Sequence, residues 1–117
     1  MRQSLILCLP LLAGACTAPT LNYAGTLRPI AGTCDPTTQA VLTRRDTTII
    51  FAPAAGTIEL HGQLTNDKDL AAQLTLIDPS KQPYHLAFQG QLDGERVDGT
   101  YTTPRCRYAV NLSLTSD

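Results

Sequence analysis

From Leu21 onward, apolar residues recur at every second position, in short segments rich in Thr, Ile, Val, Leu and Tyr and punctuated by Pro, Gly, Asn and Asp. A repeat of two is that of a strand with one dry face, whereas a helix would repeat at about 3.6. Eight segments follow it: Asn22 to Arg28, Thr38 to Arg44, Thr47 to Ala52, Thr57 to Leu64, Leu70 to Ile77, Tyr84 to Leu92, Arg96 to Thr102 and Arg105 to Thr115. The links Arg45-Asp46, Thr65 to Lys68, Asp78 to Pro83 and Asp93-Gly94-Glu95 are short and turn-like. Consecutive strands are therefore expected to pair antiparallel.

Alternate residues assign the faces. The inward set includes Leu27, Leu42, Ile49, Leu60, Leu64, Leu70, Leu86, Val97, Val110 and Leu112, and it collects all six aromatic residues, Tyr23, Phe51, Tyr84, Phe88, Tyr101 and Tyr108. The outward set is polar and includes Glu59, His61, Gln63, Gln73, Thr75, His85, Gln89, Asp98, Arg107 and Asn111. An apolar-x-Gly-x-apolar unit recurs as Tyr23 to Leu27, Leu60 to Leu64, Phe88 to Leu92 and Val97 to Tyr101, with each glycine at an inward position. Glycine there lets a strand bend sharply or lets a neighbouring side chain fill the space. Eight antiparallel strands with one dry face and repeated bends predict an all-β fold, a small eight-stranded up-and-down, lipocalin-like barrel. A two-sheet β-sandwich is the alternative, because alternation alone does not distinguish closure from stacking.

The front of the chain reads as an address. Met1-Arg2-Gln3 is a positive start, and Leu5 to Leu12 is an apolar run too short to span a bilayer comfortably, followed by small residues. The junction Leu12-Ala13-Gly14-Ala15-Cys16 resembles the lipobox of bacterial lipoproteins, with Ala13 where that family more often has leucine. The resemblance covers the first sixteen residues and implies cleavage before Cys16 and lipidation of its sulfur. It also implies an outer-membrane location facing the periplasm, since the inner-membrane retention aspartate is replaced by Thr17. The expected organisation is a signal peptide at 1–15, a lipidated cysteine and tether at 16–21, and one barrel domain at 22–117. Two or three acyl chains, at about 0.8 kcal/mol per buried CH₂, would hold the protein to the membrane permanently.

Cysteine usage agrees with export. With Cys8 in the signal and Cys16 lipidated, Cys34 and Cys106 remain, in a chain bound for an oxidising compartment, and are expected to form a disulfide. In a closed meander, the end of the first strand lies beside the start of the last. Cys34 and Cys106 would then clip the closing seam.

Charge and motifs exclude more than they select. The chain carries 9 basic and 10 acidic side chains, a net charge of −1, which is unsuited to nucleic acid. Ser4, Ser80 and Ser113 have no histidine placed to serve them, there is no G-x-S-x-G, and His61 and His85 face outward on strands separated by an intervening one. No enzyme, cofactor or metal is expected. At the end of the barrel away from the tether, Arg28, Lys81, Arg105 and Arg107 outnumber Asp35 and Asp78, so Arg28, Lys81 and Arg105 with Tyr101 beneath them are candidate binding residues for an anion or an acidic surface.

Two functions remain. The leading expectation is a monomeric, membrane-anchored envelope lipoprotein with a structural role or an envelope-protein partner. The alternative is a small-ligand binder, with the barrel interior as a pocket and Tyr23, Tyr84, Tyr101 and Tyr108 supplying hydroxyls among apolar walls, for which the interior would need a cavity. Barrels of eight strands are ordinarily filled by their own side chains. The membrane-bound lysozyme inhibitors are similar to this chain in size, anchor and topology, but their serine-glycine-x-x-tyrosine loop has no counterpart here and no residue carries over.

Overall fold

The computed structural model describes residues 19–34, 39–54 and 58–115. The signal segment, Cys16 and the tether up to Ala18 lie outside them, as do Asp35 and Asp117. Eight strands are formed: β1 Thr20–Gly32, β2 Gln39–Arg45, β3 Thr48–Ala52, β4 Leu60–Thr65, β5 Asp69–Ile77, β6 Pro83–Asp93, β7 Arg96–Thr102 and β8 Cys106–Leu114. Each pairs antiparallel with the next, and β1 pairs with β8, so the sheet closes into an up-and-down barrel of the lipocalin-like kind. Closure removes both edges, and the sandwich alternative falls away.

Alternation does what the sequence expects of it. Tyr23, Leu42, Ile49, Phe51, Leu60, Phe88, Val97 and Val110 are buried inside the ring, while Glu59, His61, Gln73, His85, Gln89, Asp98 and Asn111 are exposed outside it. Ala72 joins the core between Leu70 and Leu74, and Cys106 is buried as well. Among the described residues no polar or charged residue is buried. Outer-face polar groups pair across strands instead, as in Asn111 Nδ2 to Asp98 Oδ1 at 2.8 Å and Thr75 Oγ1 with His85 Nδ1 at 2.9 Å.

Strand β1 runs further than the pattern suggests, beginning at Thr20 inside the expected tether and continuing past Arg28 to Gly32. Pro29 reads as a stop because it lacks an N–H. Here β1 has passed the end of β2, whose last pairing is Gln39 with Thr26, so only β8 remains as a partner. The register shifts between Pro29 and Ala31, and Ile30 is the extra residue of a bulge. This extension brings Gly32 opposite Cys106, and the Cys34–Cys106 disulfide closes the seam with 5.0 Å between the two Cα atoms.

The two ends of the barrel are built differently. At the base, where β1 begins, the hairpin turns are tight and use left-handed residues: Asp46 (φ 57°), Asn66 and Asp67 (φ 53° and 59°) and Gly94 (φ 66°). Each base turn is also tied to a neighbouring strand, through Leu64 N to Thr47 O, Leu92 N to Lys68 O and Leu114 N to Glu95 O, all at 2.8 Å. Thr115 N completes the ring at Asn22 O. At the other end, the mouth, the links from β1 to β2, β3 to β4 and β5 to β6 are longer. The base turns are thus joined in a ring of hydrogen bonds.

Candidate ligand-binding site

Phe51 of β3 and Phe88 of β6 stack inside the barrel, ring centroids 4.4 Å apart and planes within 10°. Both are fully buried. The Phe88 ring also lies over Gly90, where an added Cβ would meet its Cζ at 2.9 Å, so this inward glycine makes room for an aromatic ring from its own strand. This pair is an aromatic floor layer one inward position deeper than Pro53 and Leu86, and neither ring lines the space above it; toward the mouth lies a half-open cup of about 670 Å³.

Leu27, Leu86 and Ile58 supply apolar wall, and Pro53, Pro104, Thr33 and Thr103 stand around the cup with three tyrosines, Tyr84, Tyr101 and Tyr108. The tyrosines come from strand ends facing the mouth. Tyr101 pairs directly with Tyr108 across β7 and β8 and with Phe88 across β6 and β7, which continues the aromatic floor up one wall. Tyr101 is tilted against Phe51 at 5.4 Å and lies nearly parallel to Tyr108 at 5.8 Å.

Tyr101 and Tyr108 are only 5% and 7% exposed, yet neither hydroxyl has a hydrogen-bond partner among the described residues, and neither does that of Tyr84. No fully enclosed polar side-chain atom is left without a partner among those residues, so these hydroxyls reach accessible space, which the cup supplies. Burial pushes the Tyr101 phenol up to about 12, and the nearby Tyr108 and Tyr84 phenols oppose its ionisation further. At neutral pH it is a hydrogen-bond donor.

Among the described residues, two charged ones line the cup, Arg105 and Asp78. Arg105 belongs to the β7–β8 turn, which Thr103 fixes: its Oγ1 accepts from Cys106 N at 3.0 Å and Arg105 N at 3.2 Å, while its N donates to Cys106 O at 2.8 Å. The Arg105 carbonyl accepts from Thr33 N at 2.8 Å, tying this turn to the end of β1 beside the disulfide. Its backbone is held on both sides, and its guanidinium makes no ion pair with a described residue.

Asp78 is committed to its own turn. Its Oδ1 accepts from Gln82 N at 2.8 Å, Ser80 Oγ at 2.8 Å and Ser80 N at 2.9 Å. The Gln82 amide first, then the Ser80 hydroxyl and amide, hold its carboxyl below the ordinary carboxylate range, so it stays charged.

Of the four candidate binding residues, the structure brings Tyr101 and Arg105 together at the cup and leaves out the other two. Arg28 falls on β1 opposite Ala109, one position from inward Leu27, and is exposed outside. Lys81 is exposed in the β5–β6 turn at φ 66°. Among the described residues the lining carries one charge of each sign, so the surplus of basic residues expected at this end does not extend to the cup wall. His61 sits beside Glu59 at 3.7 Å and His85 beside Thr75, both on the outer face. Tyr84 and Tyr108, whose inward positions were legible, belong to the site alongside Tyr101; their positions at mouth-facing strand ends were the available signal.

Comparison with known protein families, curated proteins and solved structures gives no match, so the site is read from its own geometry.

Proposed function

We propose that the chain is a monomeric, lipid-anchored binder of small molecules at the outer membrane, with its cup opening away from the anchor. The observation that carries this reading is the cup itself. A barrel of eight strands ordinarily fills its interior with its own side chains, whereas this one holds about 670 Å³ above a stacked phenylalanine floor. That volume falls within the range of about 300–1,000 Å³ usual for small-molecule sites, and apolar walls with a few polar groups are their usual lining. Three phenol hydroxyls without a partner among the described residues await a ligand or water. Binding without chemistry fits the lining, in which Asp78 is occupied by its own turn.

Orientation follows from β1. Thr20 lies at the base, so a tether from Cys16 would hold the base toward lipid and present the mouth to the periplasm. A docking role for a protein partner has less behind it. The two large apolar residues exposed among those described, Ile30 and Ile77, lie on β1 and β5, half-way round the ring from each other, and do not form one patch.

The test is saturable binding of an uncharged environment-sensitive dye by the mature chain. Fluorescence should rise to a one-to-one plateau, and Ile58→Trp, which fills the cup from its wall, should abolish the signal while the circular dichroism spectrum is retained. Absence of saturable binding, or binding indifferent to Ile58→Trp, would overturn the reading.

A further inference from the structure

Resting on the reading of the cup as a ligand site, we infer that its ligand is an apolar-bodied monoanion of the monocarboxylate class, received at the β7–β8 corner by Arg105 and the hydroxyls of Tyr101 and Tyr108. The three residues belong to one hairpin. Tyr101 and Tyr108 are directly paired, and the turn joining their strands carries Arg105. Among the described residues, this corner therefore gathers a cation without an ion-pair partner and two nearly buried phenols without hydrogen-bond partners.

The chemistry of these groups selects the head. Arg105 supplies only donors, and phenols held neutral donate readily to a carboxylate oxygen. An ammonium head would find the guanidinium repulsive, and a neutral alcohol would forgo the charge-assisted bonds. The corner is also pre-formed, because Thr103 and the seam hydrogen bond from Thr33 fix the turn, so little ordering opposes binding. Leu27, Leu86 and Ile58 take the apolar body.

Asp78, on the neighbouring β5–β6 turn, adds a second criterion. Its carboxylate keeps its charge because three donors converge on Oδ1, and it lines the same cup. A second negative charge on the ligand would meet it. The cup thus favours one anionic head over two.

The experiment displaces the uncharged dye from the mature chain at neutral pH with octanoate, octan-1-ol, octylamine and octanedioate. Octanoate should displace at about tenfold lower concentration than each of the others, the size expected of a charge-assisted hydrogen-bond set at a partly open site. Arg105→Gln should remove that advantage, read as the ratio of octanoate to octan-1-ol displacement within the same variant, and Tyr101→Phe with Tyr108→Phe should reduce the same ratio. If the dye binds but octanoate and octan-1-ol compete equally, or if Arg105→Gln leaves the advantage intact, this inference is overturned and the ligand-binding reading stands. If the dye itself does not bind, that reading fails first.

Discussion

Tyr101 and Tyr108 face each other directly across β7 and β8, rings 5.8 Å apart and 18° from parallel, in a cup wall where neither hydroxyl has a partner among the described residues. Desolvation raises the Tyr101 phenol most, and the facing Tyr108 opposes its ionisation further. A phenolate absorbance titration should resolve one tyrosine ionising near pH 12, and Tyr108→Phe should lower that midpoint without returning it to the ordinary value near 10. Because the folded pKa lies above the unfolded one, the associated stability is complete below about pH 10 and is lost as pH rises toward 12, on the order of 2 kcal/mol. Urea midpoints measured across that range check the sign; a midpoint that climbs with pH would contradict it.

The seam between β1 and β8 has no connecting loop, and the disulfide stands in for one across 72 residues of chain. Cross-linking a loop of this length removes unfolded-state entropy worth about 4 kcal/mol in the chain model. Cys34→Ser should lower the urea midpoint accordingly, and amide exchange should quicken first at Thr33 and Arg107, nearest the clip.

Gly62 stands opposite Ala72, and a Cβ there would run into the Ala71 carbonyl oxygen and the Ala72 Cα, both backbone atoms that cannot swing aside. Gly62→Ala should therefore destabilise the barrel by about 1–3 kcal/mol, the usual size of an overpacking defect. Gly94 has a positive φ and open space around it. Gly94→Asn, a residue that tolerates the left-handed conformation, should stay within about 0.5 kcal/mol of the parent. Equal effects in thermal melts would show that glycine serves both places for backbone freedom alone.

Asp78 holds the β5–β6 turn through hydrogen bonds that require its carboxylate. Its folded pKa is depressed, so its contribution is present above the ordinary carboxylate value and is lost as pH falls through the lowered one. The Ser80 and Gln82 amide resonances should move with a midpoint below about 3.9. Asp78→Asn, an isostere without the charge, should move them at neutral pH.

Much of the barrel is legible in residue order, and the reason is local. A strand buried on one face must alternate, so Tyr23, Phe51, Phe88 and Tyr101 declare their side without knowledge of what they will touch. The base turns are equally plain, since Asp46, Asn66-Asp67 and Gly94 are residues that accept left-handed conformations. The extent of β1 is less plain, because Pro29 signals a break in isolation and is accommodated only by a bulge against β8, a partner distant in sequence. The cup is the hardest to see. Leu86 near the mouth and Leu70 near the base obey the same alternation, and which of them faces neighbours and which faces space depends on how widely the ring opens. Arg105 and Arg28 likewise carry the same charge at the same end; alternation with inward Leu27 already turns Arg28 outward, whereas the placing of Arg105 at the cup depends on the turn fixed by Thr103.

The hydrogen bonds from Thr115 N and Oγ1 to Asn22 O place the outgoing chain beside the incoming one beneath the phenylalanine pair. Cargo joined to either end, whether an affinity handle, a fluorophore or a solid support, would hang from the underside of the vessel. Its opening would stay clear, so the barrel can be immobilised by head or tail and still be offered solutes from above.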